Sequence, residues 1–182
     1  PNIVKIYEVF ENKANIFIVT EYVDGGDLLS IMKSSGKFNE DRWREILRQL
    51  ANCLAYLQFC NILHRDIKLD NVLLNSFGQL KLCDFGVSYM FRHPTPIREV
   101  MGTPAYLAPE VISKQFYSGF ASDIWSVGVM SFIALTGKIP FKADGINQIQ
   151  DKILNTEVEF SAREMKILSE DMRNLIQKML KK

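Results

Sequence analysis

Four polar side chains near the middle of the chain have the types and spacing that phosphoryl transfer to a hydroxyl requires. Asp66 can orient an attacking hydroxyl and accept its proton, and Lys68, two residues later, can reach the transferring phosphoryl group. Asn71 and Asp84 supply hard oxygen ligands of the kind that Mg²⁺ prefers. The set combines one base, one cation and two metal ligands, which suits a reaction that depends on positioning and on neutralising phosphate charge.

These residues lie in short segments that occur in a fixed order: HRDIKLDN at 64–71, DFG at 84–86 and APE at 108–110. The ordered set resembles the signatures of the eukaryotic protein kinase family, and the similarity extends over the whole chain. The resemblance implies ATP and Mg²⁺ as cofactors, with Asp66 as the catalytic aspartate. The alternative, solvated carboxylates beside an ordinary turn, does not account for three signatures in register.

The resemblance also implies a nucleotide site at the segment VTEYVDGGD, which matches the hinge between the two lobes of a kinase. Within it, Thr20 falls at the gatekeeper position, Glu21 belongs to the nucleotide-binding backbone, and Val23 offers the hinge amide to the adenine. Leu73 is expected under the adenine ring and Asp27 beside the ribose. The simpler interpretation is an ordinary strand end followed by a glycine turn.

Two residues indicate the acceptor. Lys68, together with Thr103 in the segment GTPAY, resembles serine/threonine kinases, so the expected substrates are proteins with serine or threonine acceptors. Three carboxylates occupy positions where kinases that prefer basic sites hold arginines of the substrate. We therefore expect basic residues two or three positions before the acceptor, although all three can also be solvated surface side chains: Asp27, Asp70 and Asp151.

Glu99 is unexpected in the activation segment, which ends with the APE glutamate Glu110. It stands where many kinases carry an activating phosphothreonine that pairs with the arginine of the catalytic loop, here Arg65. A carboxylate can also pair with a guanidinium, so we expect no requirement for phosphorylation at this position. A solvated loop glutamate is the simpler interpretation, and Ser88 and Thr95 are alternative phosphorylation sites.

The strands that must position these residues are predicted from segments rich in β-branched and aromatic side chains. Residues 3–10 and 15–21 are predicted to form an antiparallel pair, and 72–74 and 80–83 a hairpin. The hairpin carries Asn71 on one flank and Asp84 on the other, which would bring the two metal ligands together.

Helices are predicted from apolar residues at helical spacing. The longest covers 39–59, with Asn39 as its cap and acidic residues in the favourable first turn. Further helices are predicted at about 121–136, about 145–154 and from 169 to the end. The fold class is therefore α+β, interpreted as the mainly helical large lobe of the kinase fold with two small-lobe strands at the N-terminus.

The resemblance divides the chain into 1–22, the last strands of a small lobe and the start of the hinge, and 23–182, a large lobe that stops before its final helices. It also implies that the glycine-rich phosphate loop and the strand lysine lie outside the chain, so we expect the isolated chain to be inactive. The closest likeness is to the calcium/calmodulin-dependent kinase group, with any regulatory domain beyond residue 182. The alternative function is a pseudokinase that acts as a binding or scaffolding module.

Composition excludes several other classes of protein. Lys plus Arg number 22 and Asp plus Glu 21, which gives no reason to expect nucleic acid or an anionic membrane as a partner. The three cysteines form neither an even set nor a Cys-x-x-Cys pair, which favours reduced thiols in the cytoplasm or nucleus. The apolar run at 124–136 is too short to span a bilayer and is interpreted as a buried helix.

Overall fold

The first elements of the fold are two antiparallel strands, β1 (Ile6–Glu11) and β2 (Ile16–Thr20). The computed structural model describes residues 1–91, 97–114, 117 and 119–182. In chain order the remaining elements are α1 (Leu28–Ser35), α2 (Glu40–Phe59), β3 (Ile62–Leu63), β4 (Val72–Leu74), β5 (Leu80–Leu82), β6 (Tyr89–Met90), α3 (Pro109–Ile112), α4 (Phe120–Thr136), α5 (Ile146–Asn155), α6 (Ala162–Ile167) and α7 (Glu170–Met179).

Helix α4 forms the centre of the core, because most of its residues are buried on every side. Gly128 allows the end of α7 to approach it, since a Cβ at this position would lie only 2.9 Å from side-chain atoms of Met179 and Leu180. A larger residue would push these elements apart. The position of α4 matters for function because Asp123, in its first turn, faces the loop that carries Asp66.

Helix α2 begins and ends as its sequence predicts. The Asn39 side chain accepts a hydrogen bond from the amide of Arg42 at 2.8 Å, and two acidic residues occupy the first turn. The helix buries one stripe at helical spacing, consisting of Trp43, Ile46, Leu50, Cys53 and Leu57. Through this packing, α2 lies against β5 of the hairpin formed by β4 and β5.

That hairpin is attached to its surroundings along the edge of β5 that faces away from β4. The Gln49 side chain of α2 accepts a hydrogen bond from the amide of Leu80 at 2.9 Å. On the same edge the amide of Leu82 donates to the carbonyl of Asn2 at 2.8 Å, and the amide of Val4 donates to the carbonyl of Leu82 at 2.9 Å. The strand that leads directly to Asp84 is therefore held by β4 on one edge and by Gln49 and the N-terminal segment on the other.

The expected α+β fold, mainly helical with two strands at the N-terminus, is confirmed. The sequence did not predict α1, α3, α6 or the two-residue pair of β3 with β6. The division at residue 22 stays a prediction. In the described part of the chain, no helix has the length and apolar character needed to cross a membrane.

Candidate active site

The loop that carries Asp66 is shaped by a carboxylate from another element. Asp123 of α4 is only 4% exposed, and its two oxygens accept hydrogen bonds from the amides of His64 and Arg65, each at 2.9 Å. Arg65 has a φ of 66°, the left-handed region that side chains other than glycine rarely occupy. The two bonds hold this turn, which directs the next residue, Asp66, away from the core.

His64 supports the same loop as a neutral ring. Burial lowers the pKa of His64, and its Nε2 lies 2.9 Å from the carbonyl oxygen of Cys83, so Nε2 carries the proton and donates it. Nδ1 is then free to accept from the amide of Asp66 at 3.3 Å. The ring also packs edge-on against Phe85, with 4.8 Å between centroids. His64 therefore connects the Asp66 loop to the DFG segment by packing and hydrogen bonds.

Asp66 lies at the centre of a compact polar cluster. Oδ1 accepts from the Thr103 hydroxyl at 2.6 Å and from its amide at 3.0 Å. Oδ2 accepts from Lys68 Nζ at 2.7 Å and from Asn71 Nδ2 at 3.2 Å, and Lys68 also donates to the Thr103 hydroxyl at 3.1 Å. The structure therefore brings together Asp66, Lys68 and Asn71, which the sequence predicts as one catalytic set, and adds Thr103, which the sequence assigns to the activation segment.

These contacts control the ionisation of Asp66. Burial acts to raise its pKa, but hydrogen bonds from Lys68 and Thr103 outweigh burial and hold the pKa of Asp66 below its ordinary value. The carboxylate is consequently ionised at neutral pH. An ionised carboxylate that is half-buried beside a cation can accept a proton from a nearby hydroxyl and stabilise the resulting charge.

Asn71 and Asp84 lie on the two flanks of the hairpin, as the sequence predicts. The amide of Cys83 donates to the carbonyl of Asn71 at 3.0 Å, which ties the two flanks together beside the Asp66 cluster. Asn71 is buried and donates its side-chain NH₂ to the carbonyl of Asp66 at 2.9 Å, so its side-chain oxygen is left to act as a ligand. Asp84 is exposed and has a φ of 61°.

Two oxygen donors are too few to form a complete metal site. Among the described residues, no group of three or more His, Cys, Asp or Glu side chains could hold a metal ion. Mg²⁺ in phosphoryl-transfer sites is commonly bound by one or two carboxylates together with water and substrate phosphates. The donor set of Asn71 and Asp84 fits a metal of this kind, bound together with a nucleotide.

The expected hinge is anchored by an ion pair that the sequence did not predict. Glu21 accepts a hydrogen bond from Lys81 Nζ and from the Lys5 amide, both at 2.8 Å, and the hydrogen bond from Lys81 is the main reason that the pKa of Glu21 is lowered. Lys81 faces Leu73 across the hairpin, so both lie on the same side of it. The contact of Lys81 with Glu21 joins residues 60 positions apart, so no local pattern predicts it.

The other predicted hinge residues differ in their surroundings. Thr20 is exposed at the end of β2 and Val23 is half-buried. Asp27 forms a bridge with Leu73, and its carboxylate caps α1 by accepting from the Ser30 amide at 2.8 Å and the Ser30 hydroxyl at 2.6 Å. Asp27 is therefore already engaged in a structural contact at the position where a ribose or arginine partner was expected.

The expected partner of Glu99 is present. Arg65 NH1 lies 2.9 Å from a carboxylate oxygen of Glu99, and the guanidinium also lies 5.4 Å from the ring centre of Tyr89. The sequence did not predict Tyr89 or Tyr117, whose hydroxyl donates to the carbonyl oxygen of Glu99 at 2.9 Å. No local pattern indicates these contacts, because they join residues that are distant in the chain.

The remaining predicted residues are more scattered. Asp70 is exposed on the turn before β4, and Asp151 is exposed on α5, where it accepts from Asn155 Nδ2 at 2.8 Å and lines an open groove of about 620 Å³. Glu110 is half-buried in the first turn of α3. The alternative phosphorylation site Thr95 lies outside the described residues. The described contacts do not join Asp27, Asp70 and Asp151 to each other.

Comparison with known proteins shows which family shares this arrangement. The family described as protein kinase domain matches residues 1–182. The chain is 41% identical over 163 residues to CBL-interacting protein kinase 33 of Oryza sativa subsp. japonica, covering 88% of the chain and 36% of that protein. It is 40% identical over 163 residues to CBL-interacting serine/threonine-protein kinase 15 of Arabidopsis thaliana, covering 88% of the chain and 38% of that protein. The chain thus spans little more than a third of the length of these relatives.

Proposed function

The chain belongs to the protein kinase domain family, and from this premise we propose that the full-length protein transfers the γ-phosphate of ATP to serine or threonine hydroxyls of protein substrates. The resemblance to this family is confirmed, and the Arabidopsis thaliana relative is a serine/threonine-protein kinase by name. The cluster of Asp66, Lys68 and Thr103 carries the proposal. In it a base, a cation and the hydroxyl of the activation-segment threonine lie within direct hydrogen-bonding distance of each other.

In the proposed reaction Asp66 orients the substrate hydroxyl and accepts its proton. The hydroxyl oxygen forms the new bond to the γ-phosphorus as the bond from that phosphorus to the leaving oxygen of ADP breaks. Lys68 lies next to Asp66 and offsets the negative charge on the transferring group. Because Thr103, Lys68 and Asn71 together occupy both oxygens of this carboxylate, the substrate hydroxyl must displace one of these contacts to reach it.

Asn71 and Asp84 would hold Mg²⁺ through their side-chain oxygens. The metal supplies neutralisation of phosphate charge when it is bound. The contribution of the chain is the fixed placement of the two ligands, since Asn71 is tied to Asp66 and the Cys83 amide connects both flanks of the hairpin.

We assign nucleotide binding to the hinge end of the hairpin. Val23 offers backbone groups to the adenine, Leu73 provides an apolar surface beneath it, and Thr20 borders the pocket. Glu21 acts through its ion pair with Lys81, which attaches the hinge to the strand that precedes Asp84. This attachment keeps the nucleotide and the metal ligands in a fixed relation.

For partners, we propose protein substrates with basic residues before the acceptor. The proposal rests on the exposed carboxylates of Asp70 and Asp151 and on Asp27, which must exchange its contact with Ser30 for a substrate arginine. The names of the relatives refer to interaction with a CBL partner, and by analogy we propose a regulatory partner for the full-length protein. We propose the cytoplasm or nucleus as its location.

The proposed function is tested with purified full-length protein, ATP and Mg²⁺, and peptides that differ only in carrying serine, threonine or tyrosine as the acceptor. Transfer to serine or threonine that is lost in Asp66→Asn is the expected result. Nucleotide binding is measured in parallel by calorimetry. Binding without transfer in the wild type would instead support the pseudokinase alternative, and undiminished transfer in Asp66→Asn would refute the assigned mechanism.

A further inference from the structure

Tyr117 lies against the activation segment, outside every motif that the sequence analysis used. Its side chain is only 7% exposed, and its hydroxyl donates to the backbone carbonyl of Glu99 at 2.9 Å. Its backbone pairs with Ile97 in both directions, with amide-to-carbonyl distances of 3.3 Å each way. Tyr117 therefore holds the stretch from Ile97 to Glu99 through three hydrogen bonds.

The stretch that Tyr117 holds ends at Glu99, whose ion pair with Arg65 is weak by itself. The Glu99 side chain is 64% exposed whereas that of Arg65 is 7% exposed. An exposed carboxylate gains little from an ion pair, because solvent screens the charge and the long side chain loses freedom. If the backbone is already fixed, less freedom is lost when the carboxylate meets the guanidinium.

Arg65 connects Glu99 to the loop that carries Asp66. Besides Glu99, its guanidinium contacts the carbonyl of Val87 through Nε and the ring of Tyr89. Arg65 also precedes Asp66 directly and has a left-handed backbone conformation. Displacement of the guanidinium would alter the turn that directs Asp66.

We propose that Tyr117 is a positioning residue, which holds Glu99 against Arg65 and through Arg65 keeps Asp66 oriented for transfer. This inference rests on the proposed kinase function. Tyr117 itself touches no reacting atom. The hydroxyl, and not only the ring, performs this role, because the ring packs in the core while the hydroxyl makes the contact to Glu99.

The test uses Tyr117→Phe, which keeps the ring and removes one oxygen, in the full-length protein. Because Tyr117 acts through Glu99, its loss should cost no more than loss of the Glu99 ion pair, and we expect kcat to fall about two- to threefold. The KM for ATP should stay unchanged, since the hinge is not touched. Amide hydrogen exchange at residues 99–102 should accelerate. The matched control is Tyr56→Phe, an exposed tyrosine on α2, for which kcat and exchange at 99–102 should equal those of the wild type.

A double-mutant cycle separates positioning from general stability. In a Glu99→Gln background, Tyr117→Phe should lower kcat by much less than it does alone, because the backbone that Tyr117 holds no longer presents a carboxylate to Arg65. Equal effects in both backgrounds, or an unchanged kcat in Tyr117→Phe, would overturn the proposal. If Tyr117→Phe is less soluble, the exchange rates at 99–102, measured below its melting temperature, still decide whether the hydroxyl holds this stretch. A wild-type protein without transferase activity would refute the proposed function instead, and the exchange experiment would still report on Tyr117.

Discussion

Replacing Lys68 by methionine tests the assignment of the polar cluster most directly. Methionine keeps most of the length and the apolar stem, and removes the cation that lies 2.7 Å from Asp66 and 3.1 Å from the Thr103 hydroxyl. A hydrogen bond to a charged group is worth about 1.5–3 kcal/mol, which corresponds to a loss in kcat of about 10- to 100-fold if the bond is needed in the transition state. Both side chains are half-buried, so we expect a loss in kcat in the upper part of this range, larger than for an exposed ion pair.

The pH dependence of Lys68→Met follows from the pKa of Asp66. In the wild type this pKa is lowered, so the active, ionised carboxylate persists as the pH falls and activity is lost only when the pH passes through the lowered pKa. Without Lys68, burial, which acts to raise the pKa, is opposed chiefly by Thr103. The pKa of Asp66 therefore rises, and the acid limb of the kcat profile moves to higher pH.

The assay measures the initial rate of phosphate transfer to a serine peptide at saturating ATP across the acid range, for the wild type and Lys68→Met. The matched control is Lys33→Met on the exposed end of α1, whose profile should equal that of the wild type. An acid limb that stays in place or moves to lower pH in Lys68→Met would refute the assignment of Asp66 as the base. A kcat within about twofold of the wild type would refute the role of Lys68.

Two further predictions concern activation and specificity. Phosphatase treatment should leave the kcat of the wild type unchanged, whereas Glu99→Ala should lower it by about two- to fivefold, the range for a largely exposed ion pair; a large phosphatase-sensitive loss traced to Ser88 would contradict this. A peptide array should show preference for arginine two or three positions before the acceptor, and this preference should weaken by about 3- to 10-fold in kcat/KM when single carboxylates are replaced by amides. Preference for proline or acidic flanks would contradict the assignment of these carboxylates, namely Asp27, Asp70 and Asp151.

The parts of the fold that the sequence predicts are those with strong local signals. Helix α2 combines a cap at Asn39, acidic residues in its first turn and a continuous apolar stripe, so its bounds follow closely from the residues. Helix α1 has a weaker signal, because it follows two glycines, covers only 8 residues and buries only Leu28. The resemblance assigns Asp27 to binding, although its residue type and its position before an apolar segment also predict a helix cap.

The active site likewise contains some contacts that the sequence predicts and others that it does not. Motif spacing predicts which residues enter the cluster, because Asp66, Lys68 and Asn71 lie within six positions of each other. It does not predict that Lys81 meets Glu21 or that Tyr117 meets Glu99, since these contacts depend on how distant segments pack. Such contacts have no periodic or compositional signature, and only the assembled fold shows them.

The turn at Arg65 explains why a carboxylate outside the motifs is needed. A left-handed conformation at a residue other than glycine costs about 1–3 kcal/mol, and Arg65 adopts it with a φ of 66°. Glycine would remove that cost but also the guanidinium that contacts Glu99 and Tyr89. Two hydrogen bonds from backbone amides to the carboxyl group of Asp123 oppose that cost, and they also act against burial, which raises the pKa of Asp123. The buried position of Asp123 in α4 thus permits an arginine where the backbone alone would favour glycine, and Asp66 takes its direction from that turn.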